Sequence, residues 1–320
     1  MHTTRTRRLF TSLITALLLF AMIFNLSACN TSKDIASQAS QTYELTILAT
    51  NDLHGHIEAL PQYLTIINQV REEREHVLLL DAGDIFRRGP YSDYQGRVEI
   101  ELFNQMGYNA IVLGNNEFKV SYYSPDSKRG SGTLEEADAQ IADIIKWADF
   151  PVLCGNVTLK NSGAYIDGVQ PYIIEKLGDL NIGIIGITHM QPVKRKLDMA
   201  VDKNFIRGDL AVKQLLPEVQ QLSDIQIVLS HASFFVDRRI RSVSAVIGGH
   251  DHFRLNNYKN MYGVYITQGG GVEKHRLVQL DLTFVLIENE WVIQTAVRQL
   301  HKADGVPYNP ALIIPDPPIN

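Results

Sequence analysis

The chain has 320 residues, with 35 acidic against 30 basic side chains and a formal charge of −5. A mildly acidic surface disfavours nucleic acid as a partner, and no basic patch with interleaved aromatics reverses that. With 45% hydrophobic residues, the chain can bury a full-sized core.

Arg5, Arg7 and Arg8 precede an apolar stretch from Leu9 to Phe24, and Leu26-Ser27-Ala28-Cys29 follows. Basic start, apolar centre and small-residue end are the layout of a secretory signal. An uncleaved anchor is the alternative, since about 20 apolar residues can span a bilayer. The signal reading is favoured because Cys29 directly follows Leu-Ser-Ala and a polar stretch to Gln41 can serve as a tether. The string resembles the lipobox of bacterial lipoproteins. That resemblance implies a signal peptide over 1–28, an acylated Cys29 and a tether over 29–42. The protein would then be lipid-anchored in the cell envelope, facing the periplasm or exterior. Asn30 is similar to the outer-membrane sorting pattern, where the cell has such a membrane. Once Cys29 is lipidated, Cys154 is the remaining thiol; Pro151-Val152-Leu153-Cys154-Gly155 reads as the setting of a small buried hydrophobe.

From Tyr43 to Leu300, roughly 260 residues suit a single α/β unit. The first apolar run, Leu45 to Thr50, ends at Asp52-Leu53-His54, and a helical pattern covers Leu60 to Glu75. Val77 to Asp81 ends at Gly83-Asp84. A second helical pattern from Val98 to Met106 stops at Gly107, as helices commonly do. Ala110 to Leu113 ends at Gly114-Asn115-Asn116-Glu117. Ser121 to Thr133 is a polar loop whose Lys128 and Arg129 face either solvent or substrate. Ile182 to Thr188 closes at His189, Ile225 to Ser230 at His231, and Val243 to Ile247 at Gly248-Gly249-His250-Asp251-His252. Helices between strands call for parallel pairing. The later runs, Tyr262 to Gln268, Leu277 to Leu286 and Trp291 to Leu300, read as an antiparallel meander. Beyond Leu300 the proline-rich stretch over 301–320 reads as an extended strap or a disordered end.

Side chains at the carboxyl ends of neighbouring parallel strands converge on one edge of a sheet. Asp52, His54, Asp84, Asn115, His231, His250 and His252 are too many for one tetrahedral ion, which takes about four ligands. They suit a pair of divalent ions roughly 3.5 to 4 Å apart, which can activate water and clamp a phosphate. Mixed imidazole and carboxylate ligands fit Zn, Mn or Fe.

The order Asn51-Asp52-Leu53-His54-Gly55-His56, Asp81-Ala82-Gly83-Asp84, Gly107-Tyr108-Asn109-Ala110 into Gly114-Asn115, Ser230-His231 and Gly248-Gly249-His250-Asp251-His252 resembles the calcineurin-like metallophosphoesterases. Within them it is similar to the catalytic domain of 5'-nucleotidases. The resemblance implies a four-layer α/β/β/α sandwich over 43–300. It also implies one metal held by Asp52, His54, Asp84 and His252, and a second held by Asp84, Asn115, His231 and His250. The substrate would be a small phosphorylated molecule such as a nucleotide.

Two departures bear on function. Where the family carries Gly-Asn-His, with a His that contacts the substrate phosphate and the leaving oxygen, this chain has Asn116. An amide gives up no proton, though it can donate a hydrogen bond to a phosphoryl oxygen. Glu117, which would orient that His, is left with nothing to orient. His189, His56 and Lys119 are the side chains nearest to a substitute, with His189 the strongest because it too closes a strand. Second, family members that hydrolyse nucleotides carry a further carboxyl-terminal domain whose aromatic side chains hold the base, and the sequence to Asn320 has no such domain. The expected function is hydrolysis of phosphate esters outside the cytoplasm. The alternative is a metal-containing binding or regulatory lipoprotein with little hydrolysis, which Asn116 favours.

Overall fold

Runs of apolar residues too continuous for a half-exposed strand are the feature that organises the fold. A computed structural model describes residues 41–86, 89–119, 133–189, 200–255, 258–271 and 276–317. Cys29, the signal segment, Lys128 and Arg129 lie outside them. The chain divides into Met1–Thr42 and Tyr43–Asn320.

In chain order the strands are β1 (Thr42–Thr50), β2 (Val77–Asp81), β3 (Ala110–Val112), β4 (Val152–Leu153), β5 (Val157–Leu159), β6 (Val169–Gln170), β7 (Tyr172–Leu177), β8 (Leu180–Thr188), β9 (Lys203–Phe205), β10 (Ile225–His231), β11 (Ala245–Gly248), β12 (Tyr258–Lys259), β13 (Tyr265–Thr267), β14 (Leu277–Ile287) and β15 (Glu290–His301). The helices are α1 (Leu60–Glu73), α2 (Arg97–Met106), α3 (Leu134–Trp147), α4 (Gly208–Leu222) and the single turn α5 (Phe234–Asp237). One sheet has the order β15-β14-β1-β2-β3-β4-β6, another β12-β13-β11-β10-β8-β7, and β5 pairs with β9. β1 to β4 run parallel, as do β8, β10, β11 and β13.

Side chains alternate across each strand, and here both faces are covered. Leu45 and Ile47 of β1 with Leu78 and Leu80 of β2 pack against Ile182, Ile184, Ile227 and Leu229 of the other sheet. The opposite faces, at Leu48 and Leu79, pack beneath α1, α2 and α3. Ile185, Ile187 and Val228 pack beneath α4. Helix, sheet, sheet, helix is the expected four-layer sandwich. α2 ends at Gly107 in the left-handed region, with φ of 71°, the conformation glycine adopts without penalty. α3, which the periodicity did not single out, starts on a reciprocal capping box between Thr133 and Glu136, which satisfies two otherwise orphaned N–H groups.

The late strands correct the expected meander. β13 joins β11 and β12 in the six-stranded sheet, whereas β14 and β15 form a hairpin on the edge of the seven-stranded one. Short apolar strands separated by turns carry no mark of which sheet they join. The proline-rich stretch runs along α1: Leu312 is fully buried, and Pro307 O accepts a hydrogen bond from Thr65 Oγ1 at 2.9 Å. Cys154 is buried and free. Among the described residues no helix is long and apolar enough to cross a membrane.

Candidate metal centre

The carboxyl ends of β1, β2 and β3 in one sheet and of β10 and β11 in the other deliver their polar side chains to one place. The backbone turns sharply there. Asp52, His54, Asp84, His250 and His252 have φ between 50° and 73°, a left-handed conformation uncommon for residues other than glycine. Strain of this kind persists only where surrounding contacts enforce it.

On the seven-stranded side the enforcing contacts are hydrogen bonds. Glu117 Oε2 accepts from Gly114 N at 2.6 Å and Asp84 N at 3.1 Å, and Oε1 accepts from Ile85 N at 3.2 Å. One buried carboxylate therefore ties the loop after β2 to the loop after β3. Asp81 Oδ1 accepts from Gly83 N at 2.7 Å, and Thr50 Oγ1 donates to Asp81 Oδ2 at 2.6 Å. Asn51 Nδ2 donates to Asp52 Oδ2 and to Gly270 O, both at 2.6 Å. Asn116 N donates to Asp84 Oδ1 at 2.8 Å. Its side-chain Nδ2 donates to Asp84 Oδ2, and Lys119 Nζ donates to Asn116 Oδ1.

On the six-stranded side, His231 Nδ1 donates to Ala82 O at 2.6 Å, which aims Nε2 at the carboxylates. Nε2 lies 3.3 Å from Asp84 Oδ2 and 3.9 Å from Asp52 Oδ1. His252 Nε2 lies 3.3 Å from Asp52 Oδ1 and 3.4 Å from His54 Nε2. His54 Nε2 is 3.6 Å from Asp84 Oδ2. His250 Nδ1 faces Asn115 Oδ1 at 2.8 Å, and the His250 backbone N–H donates to Asp52 Oδ2 at 2.9 Å. The His189 ring stacks on His250, centroids 4.0 Å apart.

Two groups able to hold a cation result, Asp52 with His54 and His252, and Asp52 with Asp84 and His231. Asp52 belongs to both. Asp84, the expected shared ligand, also reaches both, since its Oδ2 approaches His54 as well as His231. The donor set fits a cation on independent grounds. Asp52 Oδ1 and His231 Nε2 are buried without hydrogen-bond partners, and buried polar atoms are ordinarily satisfied. With Nδ1 donating to Ala82, a neutral His231 presents Nε2 as an acceptor 3.9 Å from Asp52 Oδ1.

Without a cation, a proton takes its place. Burial opposes a charged His231, but Asp84 and then Asp52 outweigh it and raise its pKa to about 10. Burial also opposes the Asp84 carboxylate, yet His231, His54 and the Asn116 N–H hold it far below the usual range. His250 moves the other way, to about 3, through burial and the proximity of His231 and His189. His189 is lowered chiefly by burial and then by His231, which disfavours its imidazolium form.

The seven side chains read from strand ends thus lie together, with His189 beside them. Glu117, expected to have nothing to orient, is the staple between two loops. Asn116 turns its NH2 to Asp84, with His54 Nδ1 3.4 Å from the same nitrogen. Neither role has a local sequence signal, because both depend on which loops the sheet brings side by side. Asn51 carries one: an amide beside a strand-end Asp is placed to bond that carboxylate and a neighbouring loop.

A model of the calcineurin-like phosphoesterase family matches residues 45–254. A snake venom 5'-nucleotidase from Gloydius brevicauda is 31% identical over 241 residues, 67% of this chain and 38% of that protein. Bovine 5'-nucleotidase (Bos taurus) is 29% identical over 242 residues, 67% of this chain and 39% of that protein. The chain thus matches about two fifths of the length of these relatives. Among solved structures, the calcineurin-like phosphoesterase YfkN from Bacillus subtilis superposes with a TM-score of 0.69 at 20% identity, covering 85% of this chain and 95% of that one.

Proposed function

The chain belongs to the calcineurin-like phosphoesterase family, and from that premise we propose that it is a dinuclear-metal phosphoester hydrolase of the 5'-nucleotidase type. We propose further that it is tethered to the cell envelope through Cys29 and acts outside the cytoplasm. The observation that carries the catalytic part is the convergence of Asp52, His54, Asp84, His231 and His252, with Asp52 Oδ1 and His231 Nε2 buried and orphaned at its centre. The anchoring part rests on Leu26-Ser27-Ala28-Cys29.

Asp52, His54, Asp84 and His252 would hold one divalent ion and Asp84, Asn115, His231 and His250 the other, with Zn, Mn and Fe all compatible. Ions held there supply an activated water and neutralise phosphoryl charge. The chain's own residues set the rest. The bond from His231 Nδ1 to Ala82 O fixes the imidazole's orientation, as a partner on the second ring nitrogen does for a metal-binding His. Glu117 fixes the Asp84 and Asn115 loops relative to each other. Asn116, in the position where the family carries a His, has its oxygen on Lys119 and its NH2 on Asp84, and an amide has no proton to give a leaving oxygen. A positioned general acid contributes about a hundred- to ten-thousand-fold in rate. This centre therefore favours esters whose leaving group needs no proton, such as aryl phosphates and phosphoanhydrides, over simple nucleoside monophosphates.

The commitment of Asn116 to Asp84 and Lys119 also favours a second reading, a metal-loaded protein that holds a phosphorylated ligand with little turnover. One pair of substrates separates the two. Metal-loaded wild type should hydrolyse an aryl phosphate, and Asn116→His should gain mainly on adenosine monophosphate, by about a hundredfold. Equal gains on both substrates would remove leaving-group protonation as the missing step, and a wild type inactive on both with every metal would establish the binder.

A further inference from the structure

The contact between Lys119 and Asn116 serves more than the surface. Phe118 and Lys119 follow Asn116 in a tight turn, with Lys119 N donating to Asn116 O at 3.1 Å, and the half-buried lysine folds back so that Nζ reaches Asn116 Oδ1. Asn116 is 4% exposed, and its amide has two ends of opposite character. Its oxygen accepts from the ammonium, and its nitrogen donates to Asp84 Oδ2. Asp84 Oδ2 in turn faces His231 at 3.3 Å and His54 at 3.6 Å. A continuous run of polar contacts therefore leads from a lysine cation to the carboxylate that touches both halves of the centre.

An amide can sit either way round in its pocket. Reversed, Asn116 would set its oxygen against the Asp84 carboxylate, acceptor against acceptor, and its NH2 against the ammonium, donor against donor. Both ends then fail together. A cation at Nζ makes the observed orientation the favourable one, and a charge-assisted hydrogen bond is roughly twice as strong as a neutral one. Locked this way round, the amide holds Asp84 Oδ2 in the orientation in which it faces His54 and His231.

We infer that Lys119 is a positioning residue for the metal centre: acting through Asn116, it fixes Asp84 for metal binding. The inference rests on the reading that Asp84 is a metal ligand, but not on any turnover by the protein.

The test is a double-mutant cycle on metal affinity, read by competition of the full chain with a chelating dye for Mn²⁺ alone. Lys119→Met should weaken Mn²⁺ binding by about tenfold, the scale on which groups behind a metal ligand act. Asn116→Ala should weaken it by a similar factor. Because the lysine acts through the amide, the double variant should be no weaker than either single one. Lys119→Arg, which can donate to the same oxygen, should restore the affinity. Unchanged affinity in Lys119→Met overturns the inference, and so does a double variant whose loss is the product of the single losses. Thermal unfolding in chelator separates positioning from folding: equal Tm values among the variants support it, whereas a loss of affinity that tracks a fall in Tm overturns it. A protein that binds Mn²⁺ and hydrolyses nothing leaves the inference standing and removes only the hydrolase. A wild type that binds no divalent ion removes both.

Discussion

Asp84, on the seven-stranded side, and His252, on the six-stranded side, face the same centre under opposite conditions. The Asp84 side chain is 4% exposed, with both oxygens and its backbone N–H engaged by Asn116 and Glu117. The His252 side chain is 39% exposed and projects from a loop of glycines and strained residues. Asp84 is held by the protein's own hydrogen bonds, whereas His252 stands open to solvent. That contrast suits a site that must hold cations tightly and still leave an open side at His252.

The largest contrast should come from removing one ligand on each side. Asp84→Ala takes away the carboxylate that reaches both groups, and kcat/KM on an aryl phosphate should fall by about a thousandfold, with both ions lost on desalting. His252→Ala leaves a place that water can fill, and the fall should be about a hundredfold. Metal analysis of the two purified variants, alongside their rates, decides it. If His252→Ala loses as much metal as Asp84→Ala, the two halves are equally essential and the division between them fails.

The same difference in rigidity can be probed without touching a ligand. A Cβ on Gly114 would stand 2.2 Å from Asp84 Oδ1, 2.3 Å from Asp84 N and 2.6 Å from Glu117 Oε2. These atoms are held by one another and cannot retreat. A Cβ on Gly249 would stand 2.9 Å from Ala82 O, 3.0 Å from His231 Nδ1 and 3.1 Å from Asp52 Oδ2, so a backbone carbonyl must still yield, but by several tenths of an ångström less than at Gly114. Gly114→Ala should therefore destabilise the chelated protein by about 3 kcal/mol and Gly249→Ala by about 1 kcal/mol, measured by urea denaturation. Equal losses would mean that the histidine half is as tightly built as the carboxylate half.

How much of this centre was legible in the sequence follows the same line. The ligands were readable because each closes an apolar run, and parallel strands must bring such ends together; Asp52 and His231 need no more than that. The contacts that fix them were not. Glu117 bonds N–H groups of Asp84 and Ile85, more than thirty positions away, and the orientation of Asn116 depends on a lysine folding back over one turn. Sheet membership failed in the late strands for a similar reason. Val264 to Gln268 and Leu277 to Leu286 are equally apolar, and what sends one to the six-stranded sheet and the other to the seven-stranded is the partner edge available, a property of the assembled fold. His189 was readable as a strand-end residue, but its stacking on His250 was not, since His250 lies in a loop that local pattern leaves undirected.

The smallest effect is one of pH, and it turns on two imidazoles in contact within the histidine half. The His231 and His250 rings lie 5.3 Å apart, yet their pKa values move in opposite directions. His231 is raised to about 10 because Asp84 and Asp52 outweigh the cost of burial. A raised histidine contributes its full stability below its ordinary value of about 6.5, and loses it progressively until pH passes the folded value. His250, lowered to about 3 chiefly by burial and then by His231, acts on the other side. Below about 6.5 the unfolded chain takes up a proton that the folded chain refuses, so stability falls as pH drops toward 3. From these two groups the chelated protein should be most stable near pH 6.5, with Tm declining on both sides. Through His231, divalent ions change the alkaline limb. A cation bound by His231 displaces its proton, so metal affinity rises with pH over the range in which the proton is being lost. Thermal unfolding in chelator and in Mn²⁺ should therefore give curves that diverge above pH 6.5. Parallel curves would mean that no proton leaves His231 when metal binds, and the orphaned Nε2 would then need another explanation.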